Sequence, residues 1–342
     1  MSCRAVLICP GRGTYNKAEL GYLARHHGGN RLLDTFDDLR RAEGQTPVTE
    51  LDSAERFSNA VHTVGDAASP LIYACSYLDR HALADDIEVV AVTGNSMGWY
   101  TALAAAGALD AAGGFQVVNT MGRLMQQAAI GGQLVYPCTG ADWRADPARR
   151  ASLLETVAQI DSGDAVLRLS IDLGGMLVLA GDEAGLAEFE GSVPRMQDRF
   201  PMRLPHHAAF HTHLQEPVAQ MGREALLASL FAQPNLPMID GRGAIWWPHA
   251  TDPSALRDYT LGAQVTQTYD FTRAIQIAAR EFAPDMFIVT GPGNTLGGAV
   301  AQSLIGCNWQ GLDSKAAFQA RQDESPLLIL MGLEDQRDIV ME

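Results

Sequence analysis

The chain has 342 residues, 47% of them hydrophobic and 19% charged. At about 150 residues per domain this suggests two folding units, or one large unit carrying an insertion. Forty acidic against 25 basic side chains leave a net charge of −15, which repels polyphosphate backbones and excludes nucleic-acid binding as the main task.

The opening apolar run, about six residues before Pro10, is too short for a signal-peptide core and suits a buried first strand. No stretch approaches the ~18 apolar residues that span a bilayer, so no membrane association is expected. The cysteines (Cys3, Cys9, Cys75, Cys138, Cys307) are odd in number and include no CxxC pair, as expected of reduced thiols in a cytoplasmic protein.

Three apolar runs each lead into a glycine-containing turn: 5–9 before Gly11-Arg12-Gly13, 87–92 before Gly94-Asn95-Ser96-Met97-Gly98, and 286–289 before Gly291-Pro292-Gly293. Runs without alternation are expected of parallel strands covered on both faces. Helix-compatible sequence follows each, such as WYTALAAAGAL (99–109). The pattern predicts an α/β core over 1–130 and 204–308, with functional loops at the strand carboxyl ends. Between them, 131–203 reads β-α-β-β-α-like, a compact α+β insertion. Residues 309–342 form a C-terminal tail whose apolar patch, 327–333, suits an edge strand or a docking segment.

Gly94-x-Ser96-x-Gly98 between a buried strand and a helix has the context of a nucleophile elbow. The turn lifts the serine hydroxyl clear of the backbone, and the helix aims free N–H groups at a developing oxyanion. A serine nucleophile needs a base. Four histidines lie in PHHAAFHTH (205–213). His207 and His211 share the i, i+4 spacing of zinc helices, but no glutamate follows His207, so a metal site is not expected. His211 is the candidate base, next to the apolar Phe210 where the segment re-enters the core. The first turn is no dinucleotide fingerprint, because Asn16 stands where the third glycine belongs. Its backbone N–H is a candidate oxyanion donor, alongside the plain reading of a tight turn.

Together these segments resemble the malonyl-CoA:acyl carrier protein transacylases of fatty-acid and polyketide synthesis. The resemblance runs from Val6 to about Ser303 and is carried by CPGRG (9–13), GNSMGWYTALAAAGAL (94–109), MGRLMQQA (121–128), VLAGDEAGLAEFE (178–190), AAFHTHLQEPVA (208–219) and FIVTGPGNTL (287–296). It implies an α/β-hydrolase-like core with parallel sheet and a ferredoxin-like subdomain at 131–203. It implies acyl transfer from CoA to the phosphopantetheine thiol of an acyl carrier protein, with no metal or redox cofactor and acyl-CoA as substrate. Ser96 would carry the acyl group and His211 would act as its base. The His-orienting backbone carbonyl would be that of Gln264, and the oxyanion donors the N–H groups of Met97 and Arg12. Met121, Asn95 and Phe210 would line the acyl pocket.

Against the family pattern, Arg12 replaces a glutamine, Asn95 a histidine and Ser69 another glutamine. Met121 replaces the arginine that pairs with a malonyl carboxylate. Arg123 lies roughly 200° around the helix from that position and cannot substitute. Losing such a pair is worth on the order of 3–5 kcal/mol. Either Arg12 supplies a new cation from the opposite loop, or Met121 lines a pocket for an uncharged acyl chain. A hydrolase acting on acylated carriers and a non-catalytic carrier-binding homologue are the competing readings. Carrier proteins are acidic, so docking onto a chain of charge −15 requires clustered cations. Arg195, Arg199 and Arg203 are the candidates, with Arg144, Arg149 and Arg150 nearby.

Overall fold

The computed structural model describes residues 2–341. In chain order the strands are β1 (Cys3–Cys9), β2 (Ile87–Gly94), β3 (Gly132–Pro137), β4 (Leu167–Leu173), β5 (Met176–Gly181), β6 (Met202–Arg203), β7 (Met238–Ile239), β8 (Ile245–Trp246), β9 (Tyr269–Asp270), β10 (Met286–Val289) and β11 (Leu328–Leu330). They form two sheets, in the orders β11-β10-β1-β2-β7-β8 and β6-β3-β5-β4-β9.

Ala5 to Cys9 of β1 have no exposed surface, as a strand flanked on both sides and covered on both faces requires. All pairs of the first sheet are parallel except β7 with β8. Cys9 stands opposite Gly94 and Ile8 opposite Val289, so the three glycine turns sit side by side at one end of the sheet. The helix Gly65–Arg80 is buried along most of its length and packs on the helix Ala111–Ala128. Their backbones touch where both are glycine: a Cβ on Gly65 would stand 2.7 Å from the Gly122 carbonyl oxygen, and one on Gly122 2.6 Å from that of Gly65.

Residues 132–203 supply four of the five strands of the second sheet. The strand order β6-β3-β5-β4, with a helix after β3 and another after β5, is the ferredoxin-like arrangement. Those helices, Pro147–Asp161 and Glu183–Ser192, bury Leu153, Val157, Ile160, Leu186 and Phe189. Aspartates cap both: Asp146 accepts from the Arg149 amide and Asp182 from the Gly185 amide.

The core reaches into this sheet. β9 pairs in parallel with β4, Thr268 Oγ1 donates to the Leu169 carbonyl at 2.7 Å, and Ser170 Oγ donates to the Phe210 carbonyl at 2.8 Å. A two-residue strand has no periodicity to read, which is why the sequence gives no sign of this junction.

In the C-terminal segment 309–342 the apolar patch supplies an edge strand. β11 pairs in parallel with β10 and completes the edge of the first sheet. Arg337, 4% exposed, forms an ion pair with Asp79 Oδ1 at 2.8 Å. Asp79 also accepts from Tyr22 Oη at 2.8 Å and the Gly291 amide at 2.7 Å, and pairs with His27 Nε2 at 2.8 Å. A buried carboxylate stripped of one partner is costly. Arg337→Met should therefore lower stability by about 3–5 kcal/mol, read as a shifted urea midpoint.

Candidate active site

The turn after β2 has to bend within five residues while pressed against β1. A Cβ on Gly94 would lie 2.3 Å from the Gly98 carbonyl oxygen, and one on Gly98 only 2.1 Å from that of Cys9, so neither position accepts a side chain. Ser96 is held at φ 56°, in the left-handed region, at a cost of order 1–3 kcal/mol. This places Oγ 2.7 Å from Nε2 of His211. His211 is also left-handed, with φ 58°, and is 3% exposed.

The segment that orients His211 is a short irregular helix. A π-turn at Tyr259–Ala263 runs into Gln264–Thr266, where the helix stops. Stopping there orphans the last carbonyls. His211 uses two of them: Nδ1 bonds the Gln264 carbonyl at 2.7 Å and its amide donates to the Val265 carbonyl at 3.0 Å. With Nδ1–H donating to a carbonyl, Nε2 is the acceptor facing Ser96. The Gln264 side chain adds contacts the sequence did not suggest. Its Nε2 donates to the Ser96 carbonyl at 3.0 Å, and its Oε1 accepts from Tyr100 Oη at 2.9 Å. Trp99 Nε1 donates to Thr260 Oγ1 at 3.0 Å, bracing the elbow helix Gly98–Ala105 on the same π-turn.

Burial pushes the His211 pKa down to about 4, and the bond to the Gln264 carbonyl opposes only part of that shift. The imidazole is therefore neutral at pH 7. Of the other histidines in the cluster, His207 bonds Gln133 Oε1 at 2.8 Å, while His206 and His213 are exposed. Among the described residues no group of three His, Cys, Asp or Glu is placed to hold a metal ion.

Ser96 and His211 line a narrow chamber with Arg12, Ser69, Met97, Tyr100, Gly122, Met125, Phe210 and Gln264. Arg12 also lines an adjoining cleft of about 430 Å³ between the two sheets, walled by Leu173, Val178 and Met202 of the second unit. A larger cavity, about 570 Å³, lies elsewhere, beside Arg150 and Arg273, and contains neither Ser96 nor His211. Among the described residues the Met97 and Arg12 amides have no acceptor.

Several expected positions need correction. Met121 does not line the chamber. It is fully buried and turned toward the helix Glu216–Ala225, where a Cβ on Gly222 would be 2.6 Å from its sulfur. The chamber instead meets Gly122 and Met125, three residues apart and so on one helix face. Asn95 faces the larger cleft, with Oδ1 buried and unpartnered. Phe210 does line the chamber, under the Arg12 guanidinium at 5.6 Å. Arg123 pairs with Glu43 at 3.4 Å. Arg203 is not a free cation, because it bonds Glu190 at 2.8 Å and Glu183 at 3.0 Å. Arg195 reaches only the Asp198 carbonyl, and Arg199 lies 4.5 Å over the Phe200 ring, so both keep their charge unpaired by carboxylates among the described residues.

The chain resembles malonyl-CoA:acyl carrier protein transacylases. It is 24% identical over 330 residues to the malonyl CoA-acyl carrier protein transacylase of Haemophilus influenzae, covering 93% of this chain and 97% of that one. The Salmonella typhimurium enzyme of the same name is 24% identical over 229 residues, 67% of this chain and 71% of that one. Among solved structures, a malonyl-CoA:acyl carrier protein transacylase from Xanthomonas oryzae superposes with a TM-score of 0.76 at 20% identity, covering 100% of this chain and 99% of that one. A malonyl-transacylase solved with its type II polyketide acyl-carrier protein gives 0.71 at 18% identity, over 89% and 93% of the two chains. No family model matches the chain.

A depressed histidine pKa means that the basic form persists until the pH falls through that value. Labelling of Ser96 by a fluorophosphonate should stay level from pH 8 to about 5, then fall as the pH passes about 4.

Proposed function

We propose that this chain is an acyltransferase that moves an acyl group from CoA to the phosphopantetheine thiol of an acyl carrier protein through an acyl-serine. The observation that carries the reading is the relay from Ser96 Oγ to His211 Nε2, and from His211 Nδ1 to the Gln264 carbonyl, each link 2.7 Å. Neutral His211 takes the serine proton as Oγ attacks the thioester carbonyl. The oxyanion is received by the Met97 and Arg12 amides. As the C–S bond breaks, the histidine returns the proton to the departing CoA sulfur. The carrier thiol then enters, loses its proton to His211 and attacks the acyl-serine, and Ser96 recovers its proton as the ester cleaves.

A backbone carbonyl suffices as orienting partner because it fixes the tautomer without adding a charge that would raise the histidine pKa. Side chains and amides of this chain perform every step, with acyl-CoA as the substrate. Five unpaired cysteines fit a reducing cytoplasm, and among the described residues no helix is long and apolar enough to cross a membrane.

The carrier is assigned to the rim of the ferredoxin-like unit, where Arg195 and Arg199 carry unneutralised charge. Intact mass after mixing with acyl-CoA should show one acyl adduct, absent in Ser96→Ala. Free acid released in place of acyl-carrier would replace transfer with hydrolysis. The double variant Arg195→Glu/Arg199→Glu should slow transfer to the carrier roughly tenfold, with self-acylation preserved.

A further inference from the structure

The cavity of about 570 Å³ beside Arg150 and Arg273 takes no part in the Ser96 relay. It lies on the other face of the second sheet from the cleft. Leu173 of β4 lines the cleft, while its neighbour Asp172 lines this cavity. Both units supply its walls, with Trp143 and Arg150 from the smaller one and Arg273 and Arg280 from the core. Its volume is in the range that small-molecule ligands fill.

Arg150, Arg273 and Arg280 line it together with Asp146, Asp172 and Asp270, so full charges match in number but not in partners. Asp172 is held by Arg150 and by Thr272 Oγ1. Asp146 and Asp270 cap the helices Pro147–Asp161 and Phe271–Phe282, each accepting from the amide three residues on. Those two helix N-termini open on the cavity and add positive potential. Arg273 and Arg280 are exposed and pair with no carboxylate among the described residues, in a chain with 40 acidic side chains. Seven residues apart, they share one face of their helix, about 10 Å from each other along its axis.

Trp143 gives the cavity an aromatic wall. Its backbone is left-handed, with φ 63°, a conformation that a bulky side chain rarely adopts. Lys315 Nζ stands 4.9 Å from its ring centroid and adds a further cation at this end.

We propose that this cavity is a second ligand site, which binds a nucleoside polyphosphate with its phosphates along Arg273 and Arg280 and its base against Trp143. A di- or triphosphate spans the two guanidinium groups, whereas a single phosphate meets only one. The nucleotide head of CoA has the same chemistry as a free nucleotide, so both are probed.

The test is calorimetric titration of the full chain with ATP, AMP, CoA and inorganic tripolyphosphate. ATP should bind, and Arg273→Ala/Arg280→Ala should weaken it by roughly 100-fold, Trp143→Ala by roughly tenfold. AMP and tripolyphosphate each lack part of the contacts and should bind roughly tenfold more weakly than ATP. The variants should keep fluorophosphonate labelling of Ser96, which shows that they fold. If the double variant does not label, Arg280→Ala alone decides in the same way. Arginine-dependent binding tighter for CoA than for ATP supports the site and gives it to the head of CoA, and the reverse gives it to a free nucleotide. No binding of either, affinity unchanged in the arginine or tryptophan variants, or tripolyphosphate as tight as ATP overturns the proposal.

Discussion

The hydrogen bond from His211 Nδ1 to the Gln264 carbonyl is the contact on which the site depends. It fixes the ring plane and the tautomer, and thereby leaves Nε2 as the acceptor for the Ser96 hydroxyl. The bond exists because a helix ends two residues after Gln264, leaving its carbonyl without an intrahelical donor. The same residue clamps the serine from the other side through its side-chain amide. One glutamine thus holds nucleophile and base to a common frame, and the left-handed backbones of Ser96 and His211 are tolerated because that frame is rigid.

Much of this was legible in the sequence, for physical reasons. Runs such as Ala5–Cys9, short, without alternation and closed by glycine turns, read as doubly covered strands, and each glycine turn marks the carboxyl end of one. The elbow was visible because its two glycines are forced by contact, Gly94 with the backbone of Gly98 and Gly98 with that of Cys9 in β1. Gln264 was not readable from residue chemistry. Its orienting role lies in a backbone carbonyl, which every residue has, and only the resemblance pointed to it. Its side-chain contacts depend on where the π-turn lands, which no local pattern encodes.

The misplaced residues are equally instructive. Met121 was matched by position along the helix, but the face it presents follows from how close two helices approach. Gly65 and Gly122 bring them into backbone contact, and this turns position 121 toward Gly222. Arg203 looked free in a basic stretch, yet the carboxylates that neutralise it lie on the preceding helix, 13 and 20 residues away. The terminal segment admits two readings in sequence, edge strand or docking segment, because β11 has only three residues. Its place is fixed by long-range contacts, the Arg337–Asp79 pair above all.

β4 carries a consequence for movement. Its Ser170 hydroxyl holds the carbonyl of Phe210, one residue before the base, and its Leu169 carbonyl holds Thr268, four residues after the carbonyl that orients that base. Both ends of the histidine's cradle are therefore fastened to a single strand of the smaller unit. Gln264 also holds the Ser96 carbonyl, so a rocking of that unit alone would draw the base off its nucleophile. The proton relay stays assembled only while the two sheets move as one body.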